Sequence, residues 1–129
     1  MTYSINRLIK SDMQVDENHR LSGCNWSPSS HFDDRPSRQD IELIVLHCIS
    51  LPEGKFGHGF PEQLFLGTLK IEDDPSFSDL EGLRVAPHLY IDRKGNVTQF
   101  VSFDKRAWHA GVSSWRGRSN CNDFSIGIE

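Results

Sequence analysis

A nearly continuous apolar run spans Ile41–Ile49, and only Glu42 and His47 interrupt it. Strands buried on both faces carry such runs, whereas half-buried strands alternate apolar and polar residues. We therefore expect a central β-strand here. Pro52 and Gly54 break the pattern directly afterwards.

The pattern downstream predicts one short helix and three more strands. Pro61 suits the first turn of a helix at Phe60–Leu66. Gly95 supplies the positive φ that a tight hairpin turn needs. The predicted strands are His88–Asp92, Val97–Val101 and Asp123–Glu129. The order strand, short helix, hairpin, strand predicts an α/β (mixed α+β) fold with a mixed sheet.

The length and the first forty residues indicate one domain. A chain of 129 residues is long enough to bury a core without disulfides. Residues 1–40 show little periodicity, and Ser, Pro, Asn and Asp are dense from Ser22 to Asp40. We expect a single domain over residues 1–129, with residues 1–40 as an arm that covers it.

Charge and cysteine content exclude several classes of protein. The net charge of −4 argues against a protein that binds nucleic acid by bulk phosphate attraction. No apolar run approaches the ~20 residues of a membrane helix, and the first residues lack the apolar stretch of a signal peptide. Cys24, Cys48 and Cys121 are an odd, unclustered set that fits a reducing compartment. We expect a cytoplasmic protein with three free thiols.

Positive charge is concentrated in the last third of the chain. Residues 83–129 hold seven Lys and Arg against four Asp and Glu, a net of +3. These cations either form an ordinary solvated surface or face an anionic ligand.

Two polar residues stand at the ends of apolar strands. His47 follows the Ile41 run, and Glu129 ends the last predicted strand. Side chains at such positions reach the crevice in which open sheets place their ligands. A structural histidine and a solvated carboxylate remain the alternatives for these two residues.

Five blocks of sequence together form a recognisable ordered series. It resembles the cytoplasmic 1,6-anhydro-N-acetylmuramyl-L-alanine amidases, the AmpD type of N-acetylmuramoyl-L-alanine amidase, from about Ser22 onward. The AWHAGVSS and CNDFSIGIE segments are the most specific parts of the match. The blocks are Val45–Gly57, Leu83–Leu89, Asp92–Gly95, Phe103–Ser114 and Cys121–Glu129.

The resemblance implies a zinc amidase on a mixed sheet flanked by helices, as in peptidoglycan-recognition domains. It would cleave the amide between (1,6-anhydro)-N-acetylmuramic acid and L-alanine in recycled muropeptides. By position, His47 would be the first ligand of one Zn²⁺ and Glu129 the catalytic acid and base. Trp108 would pack on the sugar and Arg84 would contact substrate, with core packing and a surface ion pair as the respective alternatives. His88 and His109 lie in matching motifs but receive no zinc role.

The chain also departs from that family's pattern. Members continue beyond the strand that carries Glu129 to a second histidine ligand, a lysine and an aspartate ligand. We therefore expect a C-terminally truncated domain that is inactive by itself. Cys48 and Asn120 stand where asparagine and a basic residue are common.

Two rival interpretations remain open. One is a non-catalytic module that recognises muropeptides, and the other is a periplasmic amidase that acts on intact wall. For the leading interpretation we expect a monomer whose partner is the small muropeptide, with no nucleic acid and no membrane.

Overall fold

The computed structural model describes residues 13–36 and 41–129 of the chain. Residues 1–12 and 37–40 of the predicted arm lie outside the described residues. One α-helix, nine strands and three short 3₁₀ helices occur in the described ranges. The strands are β1 (Asn25–Trp26), β2 (Phe32–Asp34), β3 (Leu43–Leu46), β4 (Leu89–Ile91), β5 (Val97–Gln99), β6 (Lys105–Ala107), β7 (Ser114–Trp115), β8 (Arg118–Ser119) and β9 (Ser125–Ile128). The helices are α1 (Phe60–Leu66) and the 3₁₀ helices Ile71–Asp73, Pro75–Leu80 and Cys121–Phe124.

Five strands form a mixed central sheet in the order β1-β5-β4-β9-β3. The predicted hairpin is present, since β4 and β5 pair antiparallel. The other three pairings in this sheet are parallel. Two small antiparallel pairs, β2 with β6 and β7 with β8, complete the strands. The predicted α/β class with a mixed sheet is confirmed.

The expectation that the Ile41–Ile49 run is a central strand is wrong. Its regular part is only β3, which lies at the edge of the sheet and pairs with β9 alone. Side chains on one face are largely exposed, with 62% for Ile44 and 75% for Leu46. An apolar run reports the hydrophobicity of both faces, but it does not say which other elements cover them.

The core lies between α1 and the other face of the sheet. Leu64 and Phe65 of α1 pack with Phe100, Val101 and Ala107. The rings of Phe65 and Phe100 meet edge to face, with centroids 5.3 Å apart. The helix begins and ends at the predicted residues.

Gly67 ends α1 for two physical reasons. Its φ of 73° lies in the left-handed region that favours glycine. A Cβ at this position would also lie 2.9 Å from Nε2 of the buried His31. The end of the helix and the packing of His31 therefore depend on the same missing side chain.

None of the helices in the two described ranges is long and apolar enough to cross a membrane. The three cysteines carry free thiols, and they differ in environment: Cys24 is half-buried, Cys48 is exposed and Cys121 is buried.

Candidate active site

The parallel pairing of β3 with β9 brings His47 and Glu129 together. Leu46 and Ile128 are partners in the register, so the next residue of each strand emerges at the same end and on the same side of the sheet. The His47 amide donates to the Ile128 carbonyl at 2.8 Å. The Glu129 amide donates to the Leu89 carbonyl at 3.0 Å, which fixes the end of β9 against β4.

His47 and Glu129 line one cleft of about 290 Å³. Its other walls come from the chain after β3 and from the β4 hairpin. Phe56 and Tyr90 give it apolar surface, and Arg93 adds a cation. We expected from the sequence that His47, Glu129 and Trp108 would share one cleft; His47 and Glu129 do, whereas Trp108 does not line it.

A second histidine lies directly against His47. Nε2 of His47 and Nδ1 of His109 are 2.9 Å apart, a hydrogen bond in which one ring donates and the other accepts. The other ring nitrogen of His109, Nε2, lies 3.2 Å from the Ser125 hydroxyl. The sequence assigned no role to His109, because it lies 62 residues from His47 and no local spacing joins them.

Gly127 makes room for the His109 ring. A Cβ built at Gly127 would overlap the imidazole of His109. Gly127 has no left-handed φ, so space rather than backbone conformation requires a glycine here. The histidine pair therefore depends on one position in the middle of β9.

Burial shifts the protonation of the cleft residues in opposite directions. It raises the pKa of Glu129 to about 7 and lowers the pKa of His47. Burial first, and then repulsion from His88 and His47 in their protonated forms and from the Arg35 cation, lowers the pKa of His109 to about 3. One carboxylate oxygen of Glu129, Oε2, is buried without a hydrogen-bond partner among the described residues. At neutral pH the imidazoles are neutral and Glu129 is balanced between its two forms.

His88 supports β9 from inside the sheet. Its ring is fully buried. Nδ1 accepts from the Gly127 amide at 3.1 Å, and Nε2–H donates to the Lys105 carbonyl at 2.9 Å. Burial lowers the pKa of His88 to about 4, so the ring is neutral. These bonds describe a structural histidine.

Arg84 and Trp108 lie in a different cavity from His47 and Glu129. With His31 and Phe32 they line a space of about 270 Å³. Trp108 is 38% exposed, so the alternative of core packing does not describe it. Arg84 donates to the Ser30 carbonyl at 3.3 Å and forms no ion pair within the described residues. The four predicted site residues therefore occur as two pairs.

The positive last third of the chain serves two purposes. Lys105, Arg106 and Arg118 form ion pairs with carboxylates. Arg93 and Lys94 instead line a cavity of about 490 Å³ that adjoins the cleft along Phe56 and Tyr90. The interpretation that these cations face an anionic ligand therefore stays a prediction for Arg93 and Lys94.

The described residues do not by themselves form a three-ligand zinc site. A neutral imidazole such as that of His47 is a suitable ligand, but these ranges contain no group of three His, Cys, Asp or Glu able to hold a metal. His109 is not a second ligand in this arrangement. Two nitrogens on one tetrahedral zinc lie roughly 3.3 Å apart, whereas these are 2.9 Å apart and hydrogen-bonded.

Sequence comparison decides the family. The profile of the N-acetylmuramoyl-L-alanine amidase family matches residues 37–129. The chain belongs to this family. Both His47, which follows β3, and Glu129, which follows β9, lie inside the matched range.

Relatives similar in sequence include AmpD amidases of several bacteria. The chain is 50% identical to the 1,6-anhydro-N-acetylmuramyl-L-alanine amidase AmpD of Haemophilus influenzae, over 84% of this chain and 59% of that protein. It is 53% identical to the AmpD of Citrobacter freundii, over 84% of this chain and 58% of that protein. The chain thus spans about 60% of the length of these curated relatives.

Solved amidase structures confirm the fold. A crystal structure of a selenomethionine AmpD derivative superposes with a TM-score of 0.86 at 48% identity, covering 90% of this chain and 64% of that one. The solution structure of Citrobacter freundii AmpD gives a TM-score of 0.59 at 49% identity, covering 90% and 62%.

Proposed function

We propose that this chain carries part of the site of an amidase that hydrolyses the amide between (1,6-anhydro)-N-acetylmuramic acid and L-alanine in muropeptides released during cell-wall recycling. Family membership and about 50% identity to AmpD amidases support this reaction class. The observation that carries the proposal is the β3–β9 register, which sets a buried carboxylate beside His47 in one cleft.

Glu129 is the proposed acid and base. Amide hydrolysis needs a proton taken from water and a proton given to the leaving amine. A carboxyl whose pKa is raised to about 7 populates both of its forms at neutral pH. Its buried Oε2 has no hydrogen-bond partner among the described residues, so that oxygen keeps its capacity to accept a proton. One residue can therefore carry out both transfers.

Trp108 and Arg84 are the proposed substrate contacts. The partly exposed indole offers a flat apolar surface to a sugar ring, and Arg84 beside it offers a cation to an anionic group. Arg93 and Lys94 offer further cations next to the cleft. The muropeptide peptide carries free carboxylates, so its charge complements these positions.

We also propose His47 as one ligand of a single zinc ion. Its neutral imidazole at the edge of a cleft supports this, but its other two partners would have to come from outside the described residues. Bound zinc would supply a more acidic water.

We place the protein in the cytoplasm as a monomer. Three unpaired thiols, one of them the exposed Cys48, suit a reducing compartment.

A second candidate is a muropeptide-binding module without catalysis. The lack of a metal-holding group of three within residues 13–36 and 41–129 favours it. It keeps the sugar and peptide contacts and needs no proton transfer from Glu129.

One experiment separates the two candidates. The purified chain, alone and joined to the part of Citrobacter freundii AmpD that it does not cover, is incubated with anhydro-muramyl-tripeptide and Zn²⁺, and released tripeptide is measured by mass spectrometry. The amidase proposal expects no release from the chain alone and release from the joined protein, which Glu129→Gln abolishes and Glu53→Gln, the same change at an exposed position, leaves intact. Binding by calorimetry without any release supports the recognition module. If the protein neither binds the muropeptide nor releases tripeptide, both candidates are contradicted.

A further inference from the structure

Arg106 holds a fixed position over Trp108. Its Nε and one terminal nitrogen donate to the two carboxylate oxygens of Asp33, both at 2.7 Å. The other terminal nitrogen donates to Asp123 at 2.9 Å. The centre of the guanidinium lies 4.4 Å from the centroid of the Trp108 ring. A bidentate pair with a third bond leaves the planar group little freedom to turn.

The two carboxylates anchor Arg106 to separate parts of the fold. Asp33 belongs to β2 and is the register partner of Arg106 in β6. Asp123 belongs to the 3₁₀ helix Cys121–Phe124, which leads directly into β9. The side chain is only 19% exposed, and its hydrogen bonds with Asp33 raise the pKa of Arg106 further, so it stays charged.

The same 3₁₀ helix holds the chain on the other side of Trp108. The side-chain oxygen of Asn122 accepts from the amides of His109 and Ala110, at 3.1 and 3.0 Å. Asn122 is buried. The segment that carries Trp108 is therefore fixed before and after the indole by neighbouring residues of one short helix.

The guanidinium does not reach the cavity in front of the indole. That cavity is lined by His31, Phe32, Arg84 and Trp108, without Arg106. Arg106 thus covers one part of the indole surface while another part faces the cavity.

We propose that Arg106 is a positioning residue that covers part of the Trp108 ring and holds the part that faces the cavity open for a sugar ring. The ligand class, a saccharide, rests on the proposed function. The fixed orientation of the indole rests only on the contacts of Arg106, Asp33, Asp123 and Asn122.

The chain contains a matched control for the stacking itself. Arg116 lies over Trp115, with its guanidinium centre 4.5 Å from the ring centroid. No carboxylate holds Arg116 within the described residues. Arg116→Lys removes a stacked guanidinium without disturbing a clamp, whereas Arg106→Lys removes both.

The first measurement needs no ligand. The chain has three tryptophans, so ¹⁵N-tryptophan labelling gives three indole N–H signals, which Trp108→Phe and Trp115→Phe assign. Arg106→Lys is expected to shift the Trp108 signal and lower its heteronuclear NOE, while Trp26 and Trp115 stay unchanged. Arg116→Lys is expected to change Trp115 only. A Trp108 signal that keeps its position and NOE in Arg106→Lys overturns the proposal.

A second variant covers a folding failure. If Arg106→Lys loses the dispersed signals of Trp26 and Trp115, Asp33→Asn decides instead. It weakens the bidentate pair and keeps the contact with Asp123, so a smaller change of the Trp108 signal is expected. An unchanged Trp108 signal in a folded Asp33→Asn chain contradicts the clamp.

The second measurement titrates 1,6-anhydro-N-acetylmuramic acid, without peptide, into each variant. Arg106→Lys is expected to raise its Kd by about three- to tenfold, the range of a lost cation–π and ordering contribution. Arg116→Lys leaves it unchanged. An unaltered Kd in Arg106→Lys despite a mobile Trp108 overturns the positioning role. If the unaltered chain binds no sugar, the saccharide part of the proposed function fails, and the indole signals still decide the role of Arg106.

Discussion

Acidification should destabilise the fold through the buried His88 ring. An unfolded chain takes up a proton on this histidine below its ordinary pKa of 6.5, whereas the folded chain resists until about pH 4. Between these values the unfolded state binds more protons, so stability is complete above pH 6.5 and is lost as pH falls toward 4. Each pKa unit is worth about 1.4 kcal/mol, which gives a loss of about 3 kcal/mol.

The test compares the free energy of unfolding of the unaltered chain with that of His88→Gln, because other groups titrate in the same pH range. Glu129 acts in the opposite sense, since its pKa is raised to about 7 and its folded form gains stability as pH falls toward 4.5. His109 acts in the same sense as His88. His88→Gln keeps one acceptor for the Gly127 amide and one donor for the Lys105 carbonyl but does not titrate. Subtracting its stability cancels the contribution of Glu129 and leaves that of His88, including its repulsion with His109.

The assay is urea unfolding followed by tryptophan fluorescence at pH 7, 6, 5 and 4. The unaltered chain and His88→Gln will differ in free energy of unfolding at pH 7. We expect this difference to change by about 3 kcal/mol in favour of His88→Gln between pH 7 and pH 4. A difference that stays constant within about 0.5 kcal/mol, a typical limit for additive effects, would refute the reasoning.

Three other changes have outcomes that the site geometry determines. Gly127→Ala should lower the free energy of unfolding by about 2 to 3 kcal/mol, because the new methyl group overpacks against His109. Gly95→Ala, at a position with a φ of 83° and open space around it, should lower it by about 1 kcal/mol. Equal losses of the two variants in urea unfolding would contradict the steric argument. Glu129→Gln should lower the rate of peptide release at least about 100-fold with little change in KM, and a large KM effect at unchanged kcat would mean that Glu129 only binds substrate. After dialysis the chain should retain far less than one zinc per molecule by atomic absorption, since one imidazole binds weakly; a full equivalent that His47→Ala removes would contradict this.

Local signals predicted the elements better than their positions in the sheet. The start of α1 follows from Pro61, and the β4–β5 hairpin follows from Gly95, because each signal acts within a few residues. The edge location of β3 has no such local cause. It depends on β9 pairing with it from about eighty residues further along the chain, and on what covers Ile44 and Leu46.

The sequence likewise predicted only the part of the candidate site that has local causes. His47 and Glu129 could be paired from sequence because both follow apolar strands, and parallel strands bring such ends to one edge. The hydrogen bond of His109 to His47 could not, since it requires the loop after β6 to lie against β9 and a glycine at position 127 to admit the ring. The Arg106 clamp is similar: Asp33, Arg106 and Asp123 belong to three elements, and only the β2–β6 register and the 3₁₀ helix before β9 join them. Each of these two contacts, which the sequence did not predict, involves a residue that the sequence did single out: His109 contacts His47, and Arg106 contacts Trp108. In this chain the reactive positions are therefore visible as strand ends and motifs, whereas the residues that orient them become visible only once the strands are paired.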